Sequence, residues 1–215
     1  MIKFKLENKG RISQEFGGSP TSNPGQYTNI GLNGHSGIDS MLGYDKPVSS
    51  DVNGVVYKVI YAKDSPSNWQ GVYILTKSGT SLVEVCYGHL LDIYVKEGDN
   101  VLEGQFIGSE GNLGYVFSGG VQITPAMQRA GDKRGAHVHT SYRPVTQTLK
   151  KTRGKFHLTT SQNKTYKDAE GYCYEVIYQD NGYKGCVNPR MYLYKNSVLE
   201  NIKMIMNAVT KLKLK

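Results

Sequence analysis

Apolar and polar residues alternate in short runs along most of this chain, which is the period of half-buried β-strands. Ile2, Phe4 and Leu6 alternate at the start, and Ile12–Phe16 closes that stretch. Residues 17–34 are rich in Gly, Ser, Pro and Asn and read as a loop. Val55 to Tyr61 is β-branched and reads as a strand, followed by Gly71 to Thr76, with Lys77-Ser78-Gly79 as its turn. In the next run, Leu82 to His89, the residues Val83, Val85, Tyr87 and His89 share one parity. Leu82, Glu84 and Cys86 share the other, so alternation predicts that Cys86 points away from His89. Val95 to Gly108 forms a two-strand corner, in which Gly98-Asp99 and Gly104-Gln105 supply turns between apolar pairs.

The pattern loosens after Asn112. Residues 113–134 hold Gly119-Gly120 and a polar, basic run, with a short helix expected near Pro125–Arg129. Residues 145–185 include a strand-like Phe156-His157-Leu158-Thr159 and a hairpin signal at Asn181-Gly182. A two-residue turn there would pair Cys186 with Ile177 and Cys173 with Arg190, leaving both thiols free. The period changes to helical only at the end. Ser197-x-x-Glu200 is a capping box, and Val198, Ile202, Ile205, Val209 and Leu212 form one apolar stripe.

Candidate chemistry sits on this β framework. In His137-Val138-His139 the two imidazoles leave the same face of an extended strand. His35 and Asp39 lie four residues apart and are same-faced on a strand, and Tyr87-Gly88-His89-Leu90 adds a third histidine segment. Histidine and carboxylate in such an arrangement suit a metal site with a neighbouring proton acceptor.

H-x-x-x-D, Y-x-H-L and H-x-H, in this order, resemble the lysostaphin-type (M23) zinc endopeptidases that cut peptidoglycan peptides. Gly108-Ser109-Glu110-Gly111-Asn112 matches that family's G-x-x-G-N turn, and Val187-Asn188-Pro189 its closing segment. The resemblance implies a mostly β fold, an antiparallel sheet domain with long loop insertions, here followed by a C-terminal α-helix. It implies Zn2+ held by His35, Asp39 and His139. It also implies His137 as general base, His89 orienting water or substrate and stabilising the oxyanion, and Tyr27 assisting at the oxyanion. The expected layout is a peptidase domain over residues 1–195, with insertions at 113–134 and 145–185, and an amphipathic helix over 196–215. His157 matches no motif and is left outside the site.

Composition narrows the alternatives. The net charge of +8 suits nucleic acid, an acidic membrane surface or an anionic wall, and for the charge alone excess lysine on a soluble protein is the first reading; no Arg-rich or aromatic-basic stripe marks a nucleic-acid groove. Three cysteines are too few and too scattered for a disulfide framework or a thiolate zinc site. No run approaches a membrane span, and Met1–Lys5 shows no secretory apolar core. The expected place of action, implied by the resemblance, is the bacterial cell wall, from outside the cell or from a virion. Peptidoglycan is the expected partner, and phage tail proteins are a further one. Two other readings stand beside the peptidase: a catalytically silent wall-binding or structural phage component with the same fold, and a lipoyl-like carrier suggested by the 95–108 corner. The carrier reading leaves the histidines unexplained.

Overall fold

The structure is a computed structural model and describes residue 8 and residues 10–19, 25–148, 165–167, 173–177 and 181–192. The Ile2–Leu6 strand, the Phe156–Thr159 strand with His157 and the helix over 196–215 lie outside the described residues. In chain order the elements are β1 (Arg11–Gln14), β2 (Ile38–Met41), β3 (Pro47–Ser49), β4 (Gly54–Ile60), β5 (Gly71–Ser78), β6 (Ser81–Gly88) and β7 (Leu90–Ile93). They continue with β8 (Asn100–Val101), β9 (Phe106–Glu110), β10 (Val116–Ser118), β11 (Val121–Ile123), α1 (Pro125–Arg129), β12 (Val138–Thr148), β13 (Thr165–Lys167) and β14 (Cys173–Val176).

The main sheet runs β1-β2-β12-β6-β5-β4-β8, and every pairing in it is antiparallel. β12 organises it. One edge of β12 pairs with β6 from His139 to Val145, while the other edge takes β2 at its start and β14 at its end. A smaller antiparallel sheet, β3-β9-β7, faces the main one. Ile74, Val83, Val85, Tyr87, Val138 and Tyr142 project from the main sheet into a core shared with Val48, Leu90 and Ile107 of the smaller sheet. Alternation then sends Glu84, Cys86, His139 and Ser141 to the opposite face. The 95–108 corner is scaffold: its β8 pairs with β4 of the main sheet and its β9 with β3 and β7 of the smaller one.

Two expectations are corrected. His89 follows β6 with φ of +62°, in the left-handed region, so strand alternation ends at Gly88. The His89 ring therefore turns onto the face that holds Cys86 and His139, against the parity reading. The Asn181-Gly182 turn does not close a hairpin. Ile177 N–H donates to the Pro144 carbonyl, and Val187 bridges to Tyr142, so both flanks lie along β12 instead of along each other. Asn181 folds the intervening loop on itself: Oδ1 accepts from the Tyr183 and Gly185 amides and Nδ2 donates to the Cys186 carbonyl. Cys86 and Cys186 are buried free thiols.

The short helix expected at 125–129 is present as α1. Thr124 caps it by accepting from the Met127 amide, and Pro125 occupies the first turn.

Candidate functional site

Register builds the first half of the site. Asp39 on β2 lies directly opposite His139 on β12, and same-face neighbours in an antiparallel pair approach within about 5.5 Å at Cβ. Gly37 makes room, because a Cβ there would come within 2.7 Å of the His139 ring. His35 enters from the loop before β2. Its backbone is pinned on both sides, its carbonyl accepting from Gly17 N at 2.8 Å and its amide donating to Gly18 O at 3.0 Å. Its Nδ1–H donates to the Glu15 carbonyl at 3.2 Å, which directs Nε2 inward.

The three inward atoms form a triangle. His35 Nε2 lies 2.9 Å from His139 Nδ1 and 3.0 Å from Asp39 Oδ1, and His139 Nδ1 lies 3.0 Å from Asp39 Oδ1. With the His35 hydrogen committed to Glu15, neutral rings leave at most one hydrogen for three short edges. Such a set of two imidazole nitrogens and a carboxylate fits one small cation better than it fits protons. Its electrostatics agree. Burial works to raise the Asp39 pKa, but His137, His35 and the His139 hydrogen bond outweigh it and hold the carboxyl well below the usual range. Burial lowers the His139 pKa, against the hydrogen bond to Asp39.

The second half is made by loops. His137 donates Nδ1–H to the Gly135 carbonyl at 2.7 Å, and its Nε2 stands 3.5 Å from Asp39 Oδ2. His89 donates Nδ1–H to the Leu113 carbonyl at 2.7 Å, and its ring centroid is 4.5 Å from that of His137. With Nδ1–H committed to a carbonyl, each ring in its neutral form offers Nε2 as an acceptor. Burial, then the neighbouring His137 and His139, push the His89 pKa well below its ordinary value. A neutral His89 can orient a water or take a proton. It can donate to an oxyanion only after it has itself been protonated.

Tyr27 is buried beside His35, with ring centroids 5.7 Å apart. Burial, then Asp39, raise its pKa, so its hydroxyl remains a donor. The structure therefore gathers all six residues singled out in the sequence. Sequence reasoning missed Trp69. Its ring stands edge-on to His89 at 4.7 Å and to His139 at 6.3 Å, and Nε1–H donates to the Tyr73 hydroxyl at 3.2 Å. A Cβ on Gly88 would come within 2.1 Å of this ring. The available signal was the lone tryptophan just before a strand, with a glycine in the Y-x-H segment.

The sequence matches the family model of peptidase family M23 over residues 33–150. Solved structures similar to it include LytU, at 24% identity over 63% of this chain and 74% of that one, with a TM-score of 0.43. Another is a mutant of the catalytic domain of the prophage-encoded M23 protein EnpA from Enterococcus faecalis, at 24% identity over 62% of this chain and 79% of that one, TM-score 0.42. A third is the catalytic domain of the antimicrobial peptidase lysostaphin from Staphylococcus simulans, at 21% identity over 64% and 83%, TM-score 0.43. No curated protein matches the chain.

Proposed function

The chain belongs to peptidase family M23, and from that premise we propose that it is a zinc-dependent endopeptidase hydrolysing stem or cross-bridge peptides of peptidoglycan. The observation that carries the reading is the His35–Asp39–His139 triangle with two accepting histidine nitrogens beside it. His35 Nε2, Asp39 Oδ1 and His139 Nδ1 would hold the zinc. Bound there, zinc supplies a Lewis acid that polarises a carbonyl and brings the pKa of a water towards about 7.

The chain's own groups do the rest. His137 Nε2 takes the proton as water attacks the scissile carbonyl, and its Nδ1–H bond to Gly135 holds the ring in the accepting tautomer. The same proton then passes to the leaving amine. His89 Nε2, across from His137, orients the attacking water by accepting from it. Tyr27 keeps a hydroxyl donor on the His35 side. Trp69 stands edge-on to His89 and forms one wall beside it. Peptidoglycan lies outside the cell membrane, so the enzyme would work there, delivered from the cell or on a virion in company with phage tail proteins. Among the described residues no helix is long and apolar enough to cross a membrane.

The test is mass spectrometry of fragments released from purified peptidoglycans of two cross-link types, with and without a zinc chelator. New amine termini that vanish with chelator are expected, and they identify the bond. Intact glycopeptides throughout, from protein that binds the walls and holds zinc, would replace this reading with the silent wall-binding component.

A further inference from the structure

The insertion over residues 113–134 meets His89 at the Leu113 carbonyl, and a buried side chain of the same insertion braces that loop. Gln128, on α1, is 9% exposed and lies within reach of three main-chain carbonyls. Its Nε2 is 2.6 Å from Asn112 O, 3.0 Å from Gly114 O and 3.2 Å from Ile123 O. Carbonyl oxygens only accept, so the amide orientation is forced: nitrogen faces the three carbonyls and Oε1 faces outward. Oε1 accepts from Asn68 Nδ2 at 2.6 Å. An amide has two hydrogens, and the two shorter contacts take them.

Those two acceptors bracket Leu113, the residue whose carbonyl takes the His89 Nδ1 hydrogen. The Leu113 carbonyl is therefore aimed by a clamp on each side of it. The second arm of the amide reaches Asn68, which precedes Trp69, and Trp69 stands edge-on to His89. Asn112 adds a tie from the other direction, donating Nδ2–H to Asp132 O at 2.7 Å and Arg134 O at 3.0 Å. Hence the insertion both closes on the loop and orders it.

We propose that Gln128 is a positioning residue for His89, fixing the proton on Nδ1 and so keeping Nε2 as the acceptor that faces the site. This rests on His89 serving the peptidase reaction, but the geometry can be tested without any turnover. Removing the two donors frees the Leu113 carbonyl to rotate, and His89 then has no reason to prefer the Nδ1–H form. Supporting residues of this kind change activity by roughly 10- to 100-fold when altered. The metal triangle, held by β2, β12 and residues 15–18, is out of its reach.

The experiment is nitrogen NMR of the His89 ring in the full zinc-loaded chain at neutral pH, for the native protein, Gln128→Met and Gln128→Glu. Methionine keeps the length without polar atoms, and glutamate keeps the acceptor for Asn68 without the donors. The native ring should read as Nδ1–H. Both variants should show the Nε2–H form alongside Nδ1–H, with unchanged zinc content, a kcat about 10- to 100-fold lower and KM little changed. Native ring shifts in a folded variant, or an Nε2–H ring in the native protein, would overturn the proposal. Should one variant not fold, the other decides. A native chain that cuts no wall peptide but shows the Nδ1–H ring and its partial loss in the variants would remove the peptidase reading and leave the positioning intact.

Discussion

The two halves of the site are held by different means. His139 and Asp39 are fixed by strand register, and His35 by a short backbone ladder to residues 17 and 18. His89 is fixed by a left-handed backbone, one loop carbonyl and the clamp of Gln128 on that loop. Register is cooperative, since slipping β2 against β12 by one residue would turn every side chain to the other face. A loop network is not cooperative in that way and can be undone at a single amide. A cluster that must grip a cation at fixed distances belongs on strands. On the proposed reading, a ring that orients a water by accepting from it tolerates a loop.

The strongest way to break that comparison is to remove a residue from each half. His139→Ala takes away one corner of the triangle. Zinc content, read by metal analysis, should fall to near zero together with wall hydrolysis, since the two remaining donors make a poor site. His137→Ala spares the triangle. Zinc should stay, while kcat falls by about 10²- to 10⁴-fold, the usual share of a general base. Zinc lost from His137→Ala, or kept with activity in His139→Ala, would mean that the halves are not separable as described.

A smaller effect concerns pH. In the metal-free chain His89 is buried with a pKa pushed well below its ordinary value of about 6.5. Below that pH the unfolded chain takes up a proton at His89 that the folded chain refuses. Unfolding is therefore favoured as pH falls from about 6.5 towards the depressed value, and stability rises with pH across that window. The urea midpoint of chelated protein should decline with acidification in that range, and His89→Gln should flatten the decline. Asp39 acts in a lower window, where its depressed carboxyl finally protonates and its contribution is lost. An identical slope in His89→Gln would show that the loop half is open to solvent.

The strand half was legible in the sequence because its chemistry follows a period. The two-residue spacing of His137 and His139 states a shared face, and strand alternation explains why Ile38 goes to the core while Asp39 does not. The sheet itself was legible for the same reason, from Val83, Val85 and Tyr87. The two-residue spacing carried His137 of the loop half with it, but the rest of the loop half was not legible. Parity put His89 with the core residues, because nothing in Tyr87-Gly88-His89 announces a left-handed histidine. Asn181-Gly182 has the composition of a hairpin turn, yet β12 captured both flanks, since a long central strand offers more hydrogen bonds than a short local hairpin. Gln128 and Trp69 carry no period at all. Their partners lie 16 and 20 residues away, and only the folded loop brings them together.

The least change is expected where the segment 181–192 meets the strand half. Tyr183 packs on Phe16 with centroids 4.6 Å apart, Asn33 N–H donates to Gly182 O at 2.9 Å, and Arg190 pairs with Glu15 at 2.6 Å. The Arg190–Glu15 pair involves the residue whose carbonyl orients His35, so it invites a functional role. Its side chains are 45% and 53% exposed, however, and exposed pairs contribute only about 0.2–1 kcal/mol. The His35 orientation depends instead on main-chain bonds that Arg190 does not touch. Arg190→Ala should lower unfolding free energy by less than about 1 kcal/mol, an effect that fades in high salt, and leave zinc affinity within about twofold. A tenfold loss of zinc affinity would place the 181–192 segment among the groups that hold the triangle, and the contrast between a register-built half and a network-built half would fail.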